Sequence, residues 1–471
     1  MRLGALIGGD DDSAVTGFAI DHRKVAPGTV FGAFRGTRFN GEDFLPDAVS
    51  SGAVAVVARP EAPVAGAAHV PAEEPRRAFA QLAARFFKPF PATVVAVTGT
   101  NGKTSTVELT RQLWRMTGRH AASIGTLGVT TADDQTTTGL TTPDIVTFLA
   151  NMAGLAREGV THAAFEASSH GLSQYRTEGL PVQAAAFTNF SRDHLDYHVT
   201  MEAYFEAKMR LFTEVVEPDG AAVVWTDDPK SAEVLARVEQ RGLRPITVGR
   251  QGRTLKLVER STTQLGQRLV IEAEGRTRAV TLPLIGAYQA ANALTAAGLV
   301  LATGGDVPQT LDNLARIQPV RGRLERAVIT RAGAPVYVDY AHTADALESA
   351  IEALRPHARG RLIAVFGAGG DRDVGKRPEM GAAAARLADL VIVTDDNPRN
   401  EDPAAIRRDI LAGAPDAREV PGRREAIAAA GAEAGGDDII LLAGKGHEQG
   451  QIIGDLVLPF DDVRVARECA A

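Results

Sequence analysis

The chain has 471 residues, of which 45% are hydrophobic and 23% are charged, and its formal net charge is −7. A chain of this length and composition can build the cores of about three domains of roughly 150 residues each. The acidic balance argues against a general nucleic-acid or membrane-surface binder, but it leaves room for a local basic pocket that holds a phosphorylated small molecule.

The single cysteine, Cys469, cannot form an internal disulfide, which fits a reducing cytosol. No apolar run approaches the ~18–20 residues of a membrane span. The first residues contain one arginine, a short apolar patch and three consecutive aspartates, unlike a secretory signal. We therefore expect a cytoplasmic protein that neither inserts into a membrane nor binds nucleic acid, and we expect it to be a monomer.

Residues 1–88 are predicted to form a small N-terminal α/β domain. Two apolar runs, VFGAF at 30–34 and AVAVVA at 53–58, are short and bounded by Gly and Pro, which is typical of strands. Apolar residues recur with helical spacing over 75–87. The segment KPFP at 88–91 follows, and its two prolines indicate a domain boundary.

Residues 89–317 are predicted to form a central domain around a P-loop-type mononucleotide-binding sheet. A buried strand at 93–99 precedes a helix that ends at Gly118. The alternating segment 254–285 has no helical period and predicts an antiparallel edge, and a helix capped by glycines follows at 291–305. Further strands are predicted at 162–168, 183–190, 221–228 and 245–249.

Residues 318–471 are predicted to form a Rossmann-like C-terminal α/β domain. Strand–helix–strand alternation predicts a parallel sheet with right-handed crossovers. The predicted strands lie at 336–341, 361–370, 390–396 and 438–444, and the predicted helices include 344–357 and 402–414.

Polar residues stand just after predicted strands throughout the chain. Open α/β sheets bind ligands at the carboxyl ends of their strands, so these residues are candidates for a shared site. They are Glu166, Asn189, Asp339, Asp371 and Asp396.

The segment 98–104, Thr-Gly-Thr-Asn-Gly-Lys-Thr, is a candidate phosphate loop. It departs from the pattern G-x-x-x-x-G-K-[ST], because Val97 stands where the first glycine belongs. It nevertheless follows a strand and opens a helix, so its amides and the helix N-terminus can hold phosphates. Lys103 can reach the β- and γ-phosphates, and Thr104 can hold Mg²⁺. An ordinary loop with a surface lysine is the alternative; we interpret the segment as a mononucleotide site of a distinct subfamily.

Two further features are ambiguous when each is read alone. Glu166 is either a metal ligand or, more commonly at such a position, a salt-bridge partner. The segment 188–208 places several His and Asp close together, which suits a metal site or a solvated loop with helix caps, and the spacing does not decide. Lys208 alone predicts a solvated helix lysine.

Eight motifs taken together are decisive, because they are long and occur in a fixed order. With them the chain resembles the Mur ligase family of peptidoglycan precursor synthesis from about residue 16 to 462. They are TGTNGKTS (98–105), TTPD (141–144), EASSH (166–170), TNFSRDHLDYH (188–198), VRGRLE (320–325), VDYAHTADAL (338–347), GAGGDRDVGKRPEM (367–380) and AGKGHEQGQ (443–451).

The resemblance implies an ATP-dependent ligase that forms a C–N bond through an acyl phosphate. The motif DNPR at 396–399 resembles family members that add meso-2,6-diaminopimelate to UDP-N-acetylmuramoyl-L-alanyl-D-glutamate. The expected partners are therefore this UDP-dipeptide, meso-diaminopimelate and ATP. The expected roles are in cell wall biogenesis, cell shape and cell division.

The resemblance also assigns nucleotide and metal residues. Two Mg²⁺ ions are implied, held by Thr104, Glu166, His194 and Lys208, the last as a carbamate. The implied catalytic residues are Lys103, Glu166, His194 and Lys208. The implied ATP-binding residues are Gly99, Thr100, Asn101, Gly102, Lys103, Thr104, Ser105, Asn292, Arg323, Asp339 and His342.

For the other two substrates the resemblance implies separate pockets. The UDP-substrate residues are Ile20, His22, Thr37, Arg38, Phe39, Thr141, Thr142, Ser168, Gln174 and Arg176. The diaminopimelate residues are Arg372, Asp396, Asn397, Pro398, Arg399, Gly444 and Glu448. Arg399 would bind the distal carboxylate that lysine lacks, and Glu448 would pair with the distal ammonium.

The sequence departs from the family pattern at five positions: His22, Leu140, Trp225, Gln289 and Ala344. None of these removes a phosphate, metal or diaminopimelate group. Three alternatives stay open: a sister ligase that adds L-lysine or another amino acid, a folylpolyglutamate synthase, and a non-catalytic nucleotide-binding relative. DNPR and two N-terminal segments that match the uridine-binding segments of the family, IDHRKVAPG (20–28) and GTRFNG (36–41), argue against the first two. The intact set of catalytic residues argues against the third.

Overall fold

The computed structural model describes residues 1–36, 39–132, 134–136, 141–264 and 266–470. Two predicted UDP contacts, Thr37 and Arg38, and the departure at Leu140 lie outside the described residues. Within these ranges no helix combines the length and apolar character that a membrane span requires.

The N-terminal part forms a parallel sheet in the order β1-β2-β3-β4. Pro75 stands at the start of the helix that follows, and Phe79 and Ala83 on its buried face pack into the core. The elements are α1 (Leu3–Ile7), β1 (Gly17–Ala19), β2 (Thr29–Gly32), α2 (Leu45–Ser50), β3 (Ala53–Ala58), β4 (Ala68–Pro71) and α3 (Pro75–Phe87), with 3-10 turns at His22–Lys24 and Gly41–Phe44.

The central part is built on a long mixed sheet in the order β15-β14-β13-β12-β11-β10-β5-β9-β6-β7-β8. Its strands are β5 (Thr93–Thr98), β6 (Ala121–Gly125), β7 (Gly128–Thr130), β8 (Gln135–Thr136), β9 (His162–Glu166), β10 (Val182–Phe187), β11 (Val216–Trp225), β12 (Arg244–Gly249), β13 (Leu255–Thr263), β14 (Gly266–Ala273) and β15 (Arg276–Leu282). The pairs β13–β14 and β14–β15 are antiparallel, which confirms the predicted edge.

Helices cover both faces of this sheet. Val95 and Val97 of β5 pack in one cluster with Leu109 and Leu294, and Ala96 packs in the opposite cluster. The helices are α4 (Lys103–Met116), α5 (Ile145–Arg157), α6 (Ser169–Ser173), α7 (Leu195–His198), α8 (Met201–Arg210), α9 (Ser231–Arg241), α10 (Ala287–Ala302) and α11 (Val307–Leu314), with a π-turn at Leu211–Val215.

The C-terminal part contains a sheet in the order β16-β17-β21-β18-β19-β20. Among the described strands of this sheet only β16 runs antiparallel, so the predicted parallel sheet is confirmed. Strands β22 and β23 form a separate antiparallel pair. The elements are β16 (Glu325–Ile329), β17 (Pro335–Asp339), α12 (Ala344–Leu354), β18 (Leu362–Phe366), α13 (Lys376–Leu387), β19 (Leu390–Val393), α14 (Pro403–Leu411), β20 (Arg418–Glu419), α15 (Arg423–Glu433), β21 (Ile439–Ala443), β22 (Gly450–Ile453), β23 (Leu456–Pro459) and α16 (Asp462–Ala470), with a 3-10 turn at Arg355–His357.

The three-part α/β fold therefore agrees with the predicted fold class. We propose the domain limits 1–88, 89–317 and 318–471, because each range contains one of the three large sheets. The carboxyl ends of β5, β9 and β17 meet where the central and C-terminal parts contact each other. The Arg323 Nη2 atom crosses this boundary and donates to Thr104 Oγ1 at 3.1 Å.

Candidate active site

The predicted phosphate loop lies between β5 and α4, as the sequence indicates. Gly102 is the residue before α4 and has φ +84°. A side chain at this position would collide with the Asn292 amide, so both the backbone angle and the space require glycine. The loop therefore has a fixed, tight path with its amides next to the helix N-terminus.

Asn189, one of the polar residues predicted at strand ends, braces this loop. Its Oδ1 accepts from the Asn101 backbone N–H at 2.8 Å, and its Nδ2 donates to the Asn101 carbonyl at 3.1 Å. The Thr188 hydroxyl donates to the same carbonyl at 2.6 Å. The role of Asn189 is thus to hold the loop backbone.

Two lysines meet at the carbonyl of Gly99. Lys103 Nζ donates to it at 3.0 Å and to Thr100 O at 2.7 Å, while Lys208 Nζ donates to Gly99 O at 2.8 Å. Within the described residues neither ammonium has a carboxylate oxygen within 4.0 Å. Lys208 is only 1% exposed and also lies 4.2 Å from the centre of the Tyr204 ring.

The expectation that Lys208 alone is a solvated lysine is wrong. Burial, and after it the charge of Lys103, lowers the pKa of Lys208 well below the ordinary lysine value. Burial also lowers the pKa of Lys103, although the Glu166 charge acts against this. Lys208 therefore loses its proton more readily than a solvated lysine does.

Glu166 ends β9 and is 2% exposed. Its Oε1 accepts from the Thr126 N–H at 2.7 Å and its Oε2 from the Thr126 hydroxyl at 3.1 Å. Burial raises the pKa of Glu166, while the Lys103 charge lowers it. Glu166 forms no salt bridge in the described part of the chain. Of the two roles predicted for it, the role of salt-bridge partner is therefore not observed.

His194 precedes α7 in a left-handed conformation with φ +54°. Its Nε2 lies 3.4 Å from Asp193 Oδ2, and its ring centre is 4.9 Å from that of His170. Burial, partly offset by Asp193, lowers the pKa of His194. The imidazole is thereby neutral at pH 7, the form in which histidine binds metals.

The predicted metal ligands are separate groups that line one cleft, and their chemistry fits Mg²⁺. Glu166, His194 and Lys208 line one cleft with Thr104. Across the described ranges, three acidic groups close enough to form a ready-made cluster occur elsewhere, at Glu202, Glu206 and Glu233. Mg²⁺ usually takes only one or two carboxylates beside phosphate oxygens and waters, which matches this sparse arrangement.

The nucleotide cleft has a volume of about 520 Å³ and lies between the central and C-terminal parts. Every predicted ATP residue except Gly99 lines it. The departure Trp225 also lines it, beside Pro229, Tyr288 and Ala291, which the sequence analysis missed. These apolar and aromatic surfaces suit a nucleobase. They are far from the phosphate loop in sequence, so no local pattern predicted that they line the same cleft.

Residues of the C-terminal part complete the cleft. Arg323 stacks over the Tyr340 ring at 4.5 Å, besides its bond to Thr104. Asp339 accepts from the backbone N–H groups of Leu324 and Ala341 at 2.7 and 2.8 Å, which fixes the strand end. The departure Gln289 donates to the Arg323 carbonyl at 3.1 Å and so supports this arginine.

The predicted sugar-peptide residues form a connected network beside Glu166. The Thr142 hydroxyl lies 2.9 Å from Ser168 Oγ and donates to the Glu166 carbonyl at 2.8 Å. Arg176 donates to the Thr142 carbonyl at 2.8 Å and to Gln174 Oε1 at 2.7 Å. The Thr141 hydroxyl lies 3.1 Å from that of Thr126, which holds Glu166.

The first sheet carries a second pocket of about 650 Å³, lined by Ile20, His22 and Phe39. The His22 ring stacks on Phe44 with centres 4.2 Å apart and an interplanar angle of 6°. Phe44 and Arg76, which the sequence analysis missed, also line this pocket, as does Asp144 at the start of α5. The structure thus brings the described uridine-type residues together beside the central part.

The predicted diaminopimelate residues gather beyond the carboxyl ends of β18, β19 and β21. Arg399 has φ +51° and is held there by backbone bonds to Ile452 and Gly454 at 3.0 and 2.7 Å. Its Nη1 donates to the Gly370 carbonyl at 2.8 Å. Burial, then the nearby charge of Arg372, lowers the pKa of Arg399. Neither guanidinium forms an ion pair with a described residue, so together they offer an anion site.

The floor of this pocket includes a residue that the sequence analysis missed. Lys445 is 0% exposed, and its Nζ lies 3.0 Å from Asn397 Oδ1, 3.1 Å from Glu448 Oε2 and 3.7 Å from Asp396 Oδ1. It stands inside the motif AGKGHEQGQ, which was the available signal. Gly444 has φ +108°, and a Cβ there would lie 2.5 Å from Asp396 Oδ2.

An ion pair that the sequence analysis did not predict joins the central and C-terminal parts. Arg192 Nη1 lies 3.2 Å from Glu379 Oε1, and its Nη2 lies 4.0 Å from Asp373 Oδ2. Arg192 stands in the motif TNFSRDHLDYH, directly before the Asp193–His194 pair. The ion pair therefore connects the segment that carries His194 to the loop that carries Arg372 and to α13.

Three family descriptions match most of the chain. "Mur ligase family, catalytic domain" matches residues 14–87, "Mur ligase middle domain" matches residues 97–300, and "Mur ligase, glutamate ligase domain" matches residues 322–446. The matched segments include the phosphate loop and the DNPR motif.

Known proteins extend this similarity over the full length. UDP-N-acetylmuramoyl-L-alanyl-D-glutamate–2,6-diaminopimelate ligase from Zymomonas mobilis subsp. mobilis is 59% identical, over 99% of this chain and 98% of its own. The ligase of that name from Bradyrhizobium diazoefficiens is 50% identical, over 98% and 97%. A solved structure of a ligase of that name is 32% identical, with a TM-score of 0.73 over 100% of this chain and 98% of the other. The chain belongs to the Mur ligase family.

Proposed function

We propose that this protein is an ATP-dependent ligase that joins meso-2,6-diaminopimelate to UDP-N-acetylmuramoyl-L-alanyl-D-glutamate in peptidoglycan precursor synthesis. One observation carries the choice of amino acid: Arg399 and Arg372 have no ion-pair partner among the described residues, and Arg399 lies near both Arg372 and Glu448. This charge pattern suits a substrate with a distal carboxylate and a distal ammonium. The full-length similarity to ligases with this name supports the same choice.

The reaction is a carboxylate activation followed by amide formation. The γ-carboxylate of the D-glutamyl residue attacks the γ-phosphorus of ATP, which gives an acyl phosphate and ADP. The amine of diaminopimelate then attacks the acyl carbon, loses a proton and expels inorganic phosphate. The ends of both substrates would meet near the phosphate loop. Thr141 and Ser168 of the sugar-peptide network line the nucleotide cleft, and Tyr340 of that cleft packs against His447, the residue before Glu448.

The protein contributes positioning and charge. Lys103 and the loop amides would hold the phosphates, and Arg323 adds a cation from the C-terminal part. Mg²⁺, held by Thr104, Glu166 and His194, would neutralise the charge of the transferred phosphoryl group. Closure of the C-terminal part over the nucleotide would exclude water from the acyl phosphate.

We further propose that Lys208 is carbamylated. A neutral amine adds CO₂ and releases a proton, which gives an N-carboxylate on the side chain. The burial of Lys208, its lack of a carboxylate partner among the described residues and its lowered pKa support this reaction. The resulting anion would face the ammonium of Lys103, and it would supply an oxygen ligand or orienting group for Mg²⁺.

The pockets support an assignment of the substrates to the three parts. The uridine end would bind in the pocket of residues 1–88, ATP in 89–317 and the amino acid in 318–471. One chain supplies all of these groups, which supports a monomer. The use of ATP and of a nucleotide-linked precursor, together with the single cysteine, supports a cytoplasmic location.

A single assay tests the proposed function. Purified protein, ATP, Mg²⁺ and the UDP-dipeptide are incubated with and without each amino acid, and phosphate release is measured. We expect release that depends on diaminopimelate. Equal release with L-lysine would favour the lysine-adding alternative, and no release with any amino acid would favour the non-catalytic one.

A further inference from the structure

Lys445 is a fully buried ammonium on the loop that follows β21. Its contacts are all with the diaminopimelate pocket: Asn397 Oδ1 at 3.0 Å, Glu448 Oε2 at 3.1 Å and Asp396 Oδ1 at 3.7 Å. A buried cation is costly unless it is paired, so this lysine and these acceptors stabilise each other. Nothing in the reaction described above uses Lys445.

The lysine fixes the orientation of the Asn397 amide. Asn397 Oδ1 accepts from Lys445 Nζ and also from the Ile452 backbone N–H at 3.0 Å. Because both donors face the oxygen, Nδ2 points the other way and donates to Glu448 Oε2 at 2.7 Å. Without the ammonium, one of the two groups that set this orientation is lost.

The lysine also fixes Glu448. Two donors, Lys445 Nζ and Asn397 Nδ2, hold the Oε2 atom. The Oε1 atom has no hydrogen bond to any residue that the structure describes, and the side chain is 30% exposed. One carboxylate oxygen is therefore anchored, and the other is presented to the pocket.

The charges lead to the same conclusion. Asp396 and Glu448 are two carboxylates whose only cationic partner within 4.0 Å, in the described ranges, is Lys445. Arg423, a buried cation nearby, pairs instead with Asp462 at 2.6 Å, and both side chains are 0% exposed. Arg399 and Lys376 act on these carboxylates only from beyond 4.0 Å. Among the described residues, one negative charge of the Asp396–Glu448 pair therefore has no salt-bridge partner, and it is available to a cation of the substrate.

We propose that Lys445 is a specificity-determining positioning residue, which presents Glu448 Oε1 to the distal ammonium of the amino-acid substrate. This inference rests on the proposed function. Lys445 does not touch the reacting atoms; it acts through Asn397 and Glu448. Its loss should therefore weaken recognition of the distal amine and leave the nucleotide site intact.

The test compares meso-diaminopimelate with L-2-aminopimelate, which has the distal carboxylate but no distal amine. In the wild type we expect diaminopimelate to be preferred in kcat/KM. In K445M, which keeps the chain length without the charge, the KM for diaminopimelate should rise roughly tenfold or more, as expected for a hydrogen bond to a charged group. The preference over L-2-aminopimelate should fall toward one, while the KM for ATP stays within about twofold.

The controls separate the possible failures. If the wild type does not use diaminopimelate, the proposed function fails. If the wild type does use it and K445M keeps both its KM and its preference for the distal amine, the inference about Lys445 is overturned. A loss of activity with both amino acids in equal proportion would also overturn it, because that indicates a merely structural role.

A second pair of variants guards against a K445M protein that does not fold. K445R keeps the charge and should retain the preference for diaminopimelate. K445Q keeps a donor for Asn397 but has no charge, and it should lose most of the preference. Retention of the preference in K445Q would overturn the proposal, and its loss in K445Q but not in K445R would support it.

Discussion

Lys103 and Lys208 donate to one and the same carbonyl oxygen, that of Gly99, at 3.0 and 2.8 Å. Two charged ammonium groups this close repel each other, and burial adds a desolvation cost. The repulsion between Lys103 and Lys208 disappears when Lys208 is neutral. When Lys208 carries a carbamate, the two side chains have opposite charges and attract each other. The phosphate loop and the carbamate site are thus parts of one arrangement.

Removal of Lys208 should therefore abolish most of the activity. For Lys208→Ala we expect turnover to fall by about 10²-fold or more, the range for loss of an electrostatic group that acts on the transition state. A short carboxylic acid such as acetate or formate should restore part of the rate, because it can occupy the space of the carbamate. The measurement is phosphate release with and without the added acid.

A matched lysine serves as the control for this experiment. Lys230 is paired with Glu233 at 2.6 Å and is 36% exposed, so Lys230→Ala should leave the rate unchanged. Near-normal turnover of Lys208→Ala without added acid would refute the carbamate proposal.

The pKa of Lys208 also predicts a pH-dependent stability. The folded-state pKa is lowered from the unfolded value of about 10.4, so the unfolded chain binds more protons between these two values. The buried ammonium therefore destabilises the fold at low pH, and this penalty fades as pH rises toward about 10. In buffer free of CO₂, Lys208→Met should raise Tm more at pH 6 than at pH 9. A Tm difference that grows with pH would contradict the assignment.

Local patterns were sufficient to predict much of the fold. Alternation without a helical period over 254–285 predicted the antiparallel edge that β13, β14 and β15 form, because one side of such a sheet can face solvent. Strands β6, β7 and β8 were missed: the run AASIG of β6 has small residues with weak strand propensity, and β7 and β8 are very short. Neighbouring strands, not local propensity, stabilise these segments.

In the candidate site, too, the features that local patterns encode were predicted and those that tertiary packing creates were not. The phosphate loop is a local pattern, so its place between a strand and a helix was predicted from the sequence alone. Lys208 and Lys445 are buried by tertiary packing, and the spacing of residues within one segment does not predict such burial. For Lys208 a weak signal existed, because Tyr204, Phe205 and Phe212 surround it in sequence and form the buried side of the same segment.

The Arg192–Glu379 ion pair should assist closure of the C-terminal part by a small amount. Both side chains are about half exposed, at 50% and 48%, and exposed pairs contribute roughly 0–1 kcal/mol. For Arg192→Ala we expect the KM for diaminopimelate to rise by a factor of about five or less. Arg386→Ala, which breaks an ion pair with Glu348 inside the C-terminal part, should have no effect. A change of more than about 10²-fold would mean that Arg192 contacts substrate.

His22 should be a modest contributor to binding of the UDP end. Its ring lines the first pocket and stacks on Phe44, and either ring nitrogen can form a hydrogen bond. For His22→Ser we expect a loss of roughly 1 kcal/mol, because a neutral hydrogen bond and a ring contact are each small and serine keeps a polar group. The measurement is the Kd of the UDP-dipeptide by calorimetry. If the wild type fails to bind it at all, the assignment of the first pocket is wrong.

The choice of amino acid should depend on Arg399. Its guanidinium and that of Arg372 lack a carboxylate partner among the described residues, so lysine would leave both charges uncompensated. An unsatisfied polar partner costs about 1–3 kcal/mol, more when it is charged. Sites built around a polar substrate group can reject analogues without it by roughly 10⁴-fold. Lysine should therefore be a very poor substrate, and Arg399→Ala should lose diaminopimelate turnover while ATP binding is retained.

The measurement is kcat/KM for both amino acids in the wild type and the variant, with nucleotide affinity measured separately. Comparable kcat/KM values for lysine and diaminopimelate in the wild type would contradict the role of Arg399 and favour the lysine-adding alternative.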